Sequence, residues 1–192
     1  AFATLGVDAT RLRSLEVENA KLKETLNLKE TQAWSFISTN VIGPDSRDPK
    51  SLLRLGAGEN QGVKAGAAVV NPTGQFIGVV VEVGAEVSLV KLMRSRGLSI
   101  LGKLADREKV VGIVESPDGL AVRFTEVPKD SDLKEGEIVV TNSGLAGIPA
   151  GLPIGSIVKV DNQPEALWQE AVVAPFASVS SLSVVNIIKP TE

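Results

Sequence analysis

The side chains in this sequence that could perform acid–base or metal chemistry are carboxylates in closely spaced pairs. Such pairs can act as general acid and base, and their oxygens are ligands that Ca²⁺ accepts. The pairs are Asp45 with Asp48, Asp106 with Glu108, and Asp130 with Asp132. They lie among prolines, arginines and lysines in segments typical of loops, so we interpret them as solvated turn residues.

Other kinds of active site are excluded by composition. The 192-residue chain has no histidine and no cysteine, which removes Ser-His-Asp and Cys-His nucleophiles and nearly all zinc and copper sites. The glycine-rich segments 56–58 and 144–147 lack the residues of a phosphate-binding loop. We therefore predict a protein that is not an enzyme and that has no catalytic residues, no cofactor and no metal.

Charge and hydrophobicity restrict the partners. The formal net charge is −3 and the densest basic cluster is Arg94-Ser95-Arg96, so we predict no nucleic-acid binding. No run of about 18 apolar residues is present that could span a bilayer. The two tryptophans, Trp34 and Trp168, are interpreted as core anchors because the aromatic residues are too few and too scattered for a stacking platform.

Residues 1–30 carry a leucine heptad with one asparagine on its apolar stripe. Two asparagines at an a position satisfy each other across a dimer axis, and charged residues flank the stripe at the e and g positions. We predict a parallel homodimeric coiled coil. The dimerisation residues are Leu12, Leu15, Asn19, Leu22 and Leu26. The alternative is an amphipathic helix that packs on its own β-domain.

The rest of the chain is patterned as β-structure. From residue 32 the hydrophobic period is about two, and short Val-rich strands then alternate with turns such as Asn71-Pro72-Thr73-Gly74. Residues 62–83 and 133–160 share a pattern in which a glycine turn introduces a Val-Val strand and a second glycine introduces a valine-rich strand. We interpret these segments as two related β-units, each closed as a small barrel. The alternative is that this pattern is common among β-strands in general and does not relate the two segments.

These elements predict a mainly β protein with three parts. They are a coiled-coil helix over residues 1–30, a first β-domain over 31–120 and a second over 121–192. The strand at 183–188 can instead pair back with 34–39, which would make one domain discontinuous.

Residues 140–155 carry the most specific motif in the chain. They read V-T-N-S-G-L-A-G-I-P-A-G-L-P-I-G and resemble the run V-T-S-G-L-x-G-x-F-P-x-G-L-x-I-G of the MreC family of rod-shape-determining proteins. The departures are an extra Asn142 and Ile148 in place of phenylalanine. Within this motif we expect five residues to form structural turns: Gly144, Gly147, Pro149, Gly151 and Gly155.

The resemblance implies a fold and a function. It implies two chymotrypsin-like barrels without catalytic residues, in a scaffold that organises peptidoglycan synthases and maintains rod shape. It implies self-association, contacts with a penicillin-binding transpeptidase and with the membrane proteins MreD and RodA, and coupling to MreB. It also implies an extracytoplasmic location and an inner-membrane anchor in a segment preceding this sequence.

Two other functions remain open from the residues. A periplasmic adaptor of a secretion or efflux assembly also joins a coiled coil to β-domains, although adaptors usually insert a helical hairpin within a β-domain. An enzyme that uses carboxylates ranks third and would require two convergent acids in a concave pocket.

Overall fold

The computed structural model of the chain describes residues 34–142, 147–161, 166–179 and 182–189. Within these ranges the chain forms twelve β-strands and two single-turn 3-10 helices, Glu59–Gln61 and Lys129–Ser131. The predicted coiled coil over residues 1–30 and its heptad residues lie outside the described residues. In the described ranges no helix has the length and hydrophobicity needed to cross a bilayer.

The first barrel closes through six antiparallel strands in the cyclic order β1-β12-β3-β4-β5-β2. Its strands are β1 (Phe36–Pro44), β2 (Leu52–Leu55), β3 (Ala68–Val70), β4 (Phe76–Val83), β5 (Ser88–Leu92) and β12 (Val184–Ile188). Alternation along β1 sends Thr39 inward and leaves Phe36, Ser38 and Asn40 exposed, as expected for a strand with one buried face. Leucine, valine and isoleucine side chains fill the interior.

The second barrel closes through the order β10-β11-β8-β7-β6-β9. Its strands are β6 (Ser99–Leu104), β7 (Val111–Glu115), β8 (Val122–Pro128), β9 (Ile138–Thr141), β10 (Pro153–Asp161) and β11 (Trp168–Pro175). Its fully buried side chains include Leu104, Val114, Phe124 and Ile157. Neither barrel is interrupted by a helical hairpin in the part of the chain that the structure describes, so the feature typical of adaptor proteins is not found there.

The two barrels share one cyclic strand order once the first is permuted circularly. Taking β12 as the first strand of the first barrel matches β12, β1, β2, β3, β4 and β5 to β6 through β11, with every neighbour pair preserved. Under this match β3–β4 corresponds to β9–β10. Those strands come from the two segments in which the sequence predicted a repeat.

The correspondence extends to single hydrogen bonds. In the first barrel the Gly66 N–H donates to the Val80 carbonyl over 2.8 Å, and in the second the Gly136 N–H donates to Ile157 over 2.8 Å. A β-bulge follows Val80 on β4 and another follows Ile157 on β10. The repeat predicted from the glycine and valine pattern is therefore confirmed in backbone geometry.

The domain boundary differs from the expected position at residue 120. Strands β6 and β7 pair with each other and with β8 and β9, so they belong to the second barrel, and the chain crosses between barrels after Leu92. The C-terminal strand β12 pairs with β1, in a register that places Phe36 opposite Ile188. The first domain is therefore discontinuous. Short strands alternate with turns on both sides of residue 93, so no local pattern marks the boundary.

The barrels pack through an apolar face of the first. On β4, Ile77 points into the interior cluster, yet Phe76 and Val79 on the opposite side are also buried. The Ala68 N–H on β3 donates to the Gly147 carbonyl, which lies in the β9–β10 connection of the second barrel, over 2.9 Å. A strand buried on both faces needs an apolar cover, and β4 contacts β10 of the second barrel.

Candidate interaction surfaces

An open groove of about 940 Å³ lies where the two barrels meet. We call it the inter-barrel groove. Strands β2, β4 and β5 of the first barrel form one side, and the other side is formed by the crossing segment after β5, the β7–β8 loop and the segment that follows β11. Ligand and partner sites favour such junctions because two rigid elements supply concave walls there.

Two arginines of the crossing segment fix the β7–β8 loop. Arg94 Nη2 donates to the Leu120 carbonyl over 2.9 Å, and Arg96 Nε donates to the Asp118 carbonyl over 3.0 Å. The Ser95 hydroxyl between them donates to the Ser51 carbonyl of the first barrel over 2.8 Å. The Arg94-Ser95-Arg96 sequence therefore ties both barrels to one segment and positions the groove walls.

Charges of both signs line the groove. Its basic side chains are Lys50, Lys91, Arg94 and Arg96, and its acidic ones are Asp48, Glu82 and Asp118. Glu82 accepts two hydrogen bonds from the Arg47 guanidinium, at 3.2 and 3.0 Å. Arg94 and Arg96 donate to carbonyls, which carry no net charge. The groove therefore presents more positive than negative charge, although the whole chain is acidic.

Apolar side chains are exposed along the same groove. Leu120, at the tip of the β7–β8 loop, is 72% exposed, and Val81 on β4 is 40% exposed. Exposed apolar side chains that lie together with charged groups at a concave surface are typical of protein-binding sites. No local sequence pattern distinguishes an exposed loop leucine from a buried one, so Leu120 was not among the predicted site residues.

The carboxylate pairs do not converge on an active site. Asp45 Oδ1 accepts from Arg47 Nε over 2.9 Å, Glu108 pairs with Lys103 at 3.2 Å, and Asp132 with Lys134 at 3.6 Å. No group of three carboxylates able to hold a metal ion occurs among the residues that the structure describes. Five of the six carboxylates lie in loops or turns, as interpreted, and Asp130 lies in the 3-10 helix Lys129–Ser131.

Asp45 is an exception to that interpretation, because it is buried and not solvated. Hydrogen bonds from the Arg47 side chain and backbone lower the pKa of its carboxyl. The hydrogen bonds that the Arg47 guanidinium donates to the Glu82 and Asp45 carboxylates raise the pKa of Arg47 further above its already high value. Asp45 and Glu82 thus fix Arg47 beside the inter-barrel groove.

The expected turn residues of the 140–155 motif occupy three kinds of position. Gly147 and Gly151 have φ of +97° and +90°, in the left-handed region that favours glycine. The Pro149 carbonyl accepts from the Thr141 hydroxyl. Gly155 lies within β10 and not in a turn, and an added Cβ there would meet the Ala174 carbonyl oxygen at 2.2 Å. Gly144 lies outside the described residues.

Trp168 lies at the surface, so its interpretation as a core anchor is wrong. It begins β11, opposite Pro128, and is 53% exposed. Its neighbour Gln169 is instead buried, with its side chain accepting from the Leu133 N–H and donating to the Lys129 carbonyl. The strand register decides this, since adjacent residues on a strand face opposite sides.

The fold and the groove together define a tandem β-barrel protein with an open cleft at the barrel junction. Residues 41–189 match the family described as rod shape-determining protein MreC, barrel core. The chain belongs to the MreC family.

Relatives and solved structures agree with this assignment. The cell shape-determining protein MreC of Listeria monocytogenes is 31% identical over 186 residues, covering 94% of this chain and 62% of the relative. A solved structure of Listeria MreC superimposes with a TM-score of 0.84 at 28% identity, covering all of this chain and 93% of that one. The chain thus spans less than two thirds of the length of the Listeria relative.

A third similarity includes a partner. A solved complex between penicillin-binding protein PBP2 and MreC from Helicobacter pylori contains a chain that superimposes with a TM-score of 0.67 at 15% identity. It covers 82% of this chain and 99% of that one. At this identity the similarity establishes the shared fold.

Proposed function

We propose that this chain is part of a non-catalytic scaffold of the bacterial cell-elongation machinery, and that it maintains rod shape by organising peptidoglycan synthases. The observation that carries the proposal is membership of a family described as rod shape-determining. The Helicobacter complex, in which a protein of the same fold binds PBP2, supports a penicillin-binding transpeptidase as one partner.

The inter-barrel groove is the surface we assign to this partner. Its volume is sufficient for a protein segment, and the exposed Leu120 lies beside charged groups that can pair with that segment. Interface energy is concentrated in a few apolar anchors surrounded by polar groups. Leu120 is the side chain in the groove that best fits the description of such an anchor.

Titration calorimetry with the soluble domain of the elongation transpeptidase from the same bacterium tests this assignment. We expect Leu120→Lys to weaken binding by about tenfold or more, since an interface anchor is worth about 2 kcal/mol. Val158→Lys is the matched control, because Val158 is exposed but does not line the groove. Equal affinities of the two variants would show that the transpeptidase binds at another surface.

The remaining partners follow from the family resemblance. We propose contacts of the full-length protein with MreD and RodA, coupling to MreB, and an extracytoplasmic location with an inner-membrane anchor preceding this sequence. Protease accessibility of the tagged full-length protein in spheroplasts measures the location. Digestion of the barrels in intact spheroplasts is expected, whereas protection until lysis would contradict the proposed location.

Self-association through the leucine heptad is a further part of the proposal. Three heptads are short, so the isolated association is expected to be weak. Analytical ultracentrifugation of the chain and of a deletion lacking residues 1–30 measures it. We expect a concentration-dependent dimer for the chain and a monomer for the deletion. Asn19→Leu should strengthen association and make the orientation or the number of the associated helices less well defined. The same oligomeric state for the chain and for the deletion would show that the heptad does not mediate self-association.

The non-catalytic part of the proposal is tested by complementation of a depleted strain. Alanine replacements at Glu108 and Asp130, one from each of two carboxylate pairs, should leave cell shape unchanged because exposed surface charges affect stability by only about 0.5 kcal/mol. A variant that is folded, correctly located and unable to restore rod shape would reopen the carboxylate-enzyme alternative.

A further inference from the structure

The exposed Trp168 lies on a second surface, separate from the barrel packing face. It borders a shallow groove of about 380 Å³ on the outside of the second barrel, formed by β7, β8, β11 and the start of the β7–β8 loop. We call this the Trp168 groove. A tryptophan that keeps half of its surface in water forgoes the burial that would stabilise the fold, and such residues are enriched as anchors in interfaces.

The walls of the Trp168 groove carry a large excess of negative charge. Its charged side chains are Glu115, Asp118, Glu126, Glu170 and Arg123. Arg123 lies 4.0 Å from Asp118 and 3.6 Å from Glu170, so one cation is shared between two of the carboxylates. The groove therefore has a formal charge of −3, from four carboxylates and one guanidinium.

Hydrogen bonds hold part of this charge in place. The Ser99 hydroxyl donates to Glu115 over 2.9 Å, and the Leu120 N–H donates to Asp118 Oδ1 over 2.8 Å. The backbone donors at Leu120 and Ala121 lower the pKa of Asp118, so it stays ionised at neutral pH. Glu126 is exposed and has φ of +56°, a backbone conformation uncommon for a residue other than glycine.

We propose that the Trp168 groove binds a lysine or arginine side chain from an extended basic segment of a partner protein. The cation stacks on the indole face of Trp168 while Glu126 and Glu170 pair with its charge. An acidic segment is repelled by the groove, and a purely apolar one would desolvate carboxylates without pairing them. The barrel is closed, so the partner contributes side chains and not an added strand.

The first test is binding of a short fluorescein-labelled peptide of alternating lysine and serine, followed by anisotropy. A peptide of alternating glutamate and serine is the comparison. We expect saturable binding of the lysine peptide only, weakening between about 0.05 M and 0.5 M salt because exposed charges are screened. In a Trp34→Phe background Trp168 is the sole tryptophan, and its emission should change in parallel with the anisotropy.

Variants locate the binding on the molecule. Glu126→Gln with Glu170→Gln should raise the Kd about threefold to tenfold, as expected for the loss of two exposed ion pairs. Trp168→Ala should raise it by a similar factor and Trp168→Phe by less. The matched control is Glu59→Gln with Glu86→Gln, which removes the same charge from exposed positions of the first barrel and should leave the Kd unchanged. Thermal melts check that every variant is folded.

Three results would overturn the proposal. The first is an equal loss of affinity in the Trp168-groove double variant and in the control double variant. The second is tight binding of the glutamate peptide. The third is a Trp168 emission that changes with the concentration of the protein and not with that of the peptide. The last result would assign the groove to a second copy of this chain. This test and that of the transpeptidase proposal can be read separately, because Glu126, Trp168 and Glu170 do not line the inter-barrel groove and Leu120 does not line the Trp168 groove. Asp118 lines both grooves and is left unchanged in every variant of these two tests.

Discussion

The two barrels have the same strand order but are connected differently. The second barrel is built from one continuous stretch, β6 through β11, whereas the first needs β12 to return from the C-terminus. The Ser38 hydroxyl on β1 bonds to Asn186 on β12, 148 residues away. Closing a barrel through distant segments carries the entropy cost of a long loop, and this cost is smaller when the intervening chain is already folded. The comparison indicates that the second barrel can close by itself and that the first depends on it.

Truncation of residues 183–192 tests this dependence and should have the largest effect. It removes β12, with Val185, Ile187 and Ile188 fully buried, and leaves one edge of β1 and one edge of β3 without a partner strand. Burial of three aliphatic side chains is worth about 5 kcal/mol or more, comparable with the stability of a whole domain. Hydrogen exchange should show lost protection in β1 to β5 and retained protection in β6 to β11.

The control for this truncation removes only residues 190–192, which leaves β12 intact and should preserve both barrels. If residues 99–175 lose protection together with the first barrel, the two barrels fold as one cooperative unit and the comparison is wrong.

Corresponding glycines in the two barrels should respond equally to substitution. An added Cβ would lie 2.2 Å from the Lys91 carbonyl oxygen at Gly78 and 2.2 Å from the Ala174 carbonyl oxygen at Gly155. Backbone of a neighbouring strand cannot move aside cheaply, so Gly78→Ala and Gly155→Ala should each cost about 3 kcal/mol or more in the free energy of unfolding. Urea denaturation measures both.

Gly136→Ala is the control for these variants, because its φ is +89° but the space around its Cβ is empty. We expect a cost of about 1 to 2 kcal/mol from the left-handed backbone alone. A Gly155→Ala variant no less stable than Gly136→Ala would contradict the close approach of β10 and β11.

The barrel junction should be weakened by Gly147→Ala. The added Cβ would lie 2.6 Å from the Gly66 carbonyl oxygen of the first barrel, and φ is +97°. Gly151→Ala is matched in φ, at +90°, but has open space around it. We expect about 2 to 3 kcal/mol for Gly147→Ala against about 1 for Gly151→Ala, since the first adds a steric clash to the backbone cost.

Small-angle scattering distinguishes a loosened junction from a general loss of stability. A larger radius of gyration is expected for Gly147→Ala and not for Gly151→Ala. Identical scattering and identical melting temperatures for the two variants would show that Gly147 does not hold the barrels together.

The smallest effects concern two carboxylates, one in each barrel, whose pKa values are lowered for different reasons. Asp45 is held by the Arg47 side chain and backbone, and Asp118 by the backbone N–H groups of Leu120 and Ala121. Because each pKa is lower in the folded state, each carboxylate stabilises the fold above its unfolded pKa of about 3.9, and this stabilisation is lost as the pH falls through the folded value.

Asp45→Asn and Asp118→Asn should therefore destabilise the chain slightly at pH 7 and flatten the decline of stability below about pH 4. Salt should reduce the Asp45 effect more than the Asp118 effect, because an exposed guanidinium is screened and backbone donors are not. Melting temperatures across pH and salt measure this, and an equal salt dependence would show that Arg47 is not the main stabilising group for Asp45.

The sequence by itself determined the strand pattern, the internal repeat and the family. Glycine and valine spacing in 62–83 and 133–160 reflects local backbone requirements, which each segment imposes whatever surrounds it. The same locality explains Gly147 and Gly151, whose positive φ only glycine adopts readily. The repeated glycine and valine pattern was therefore enough to indicate two related barrels.

Only the tertiary structure decided the domain boundary, the inter-barrel groove and the exposure of Trp168. The pairing of β1 with β12 and the crossing after Leu92 depend on contacts between residues far apart in sequence. Whether Trp168 or Gln169 faces the core depends on the register of β11 against β8, and a shift of one residue would reverse it. Arg94 and Leu120 meet because two barrels pack against each other, and no local pattern encodes a contact between separate folding units.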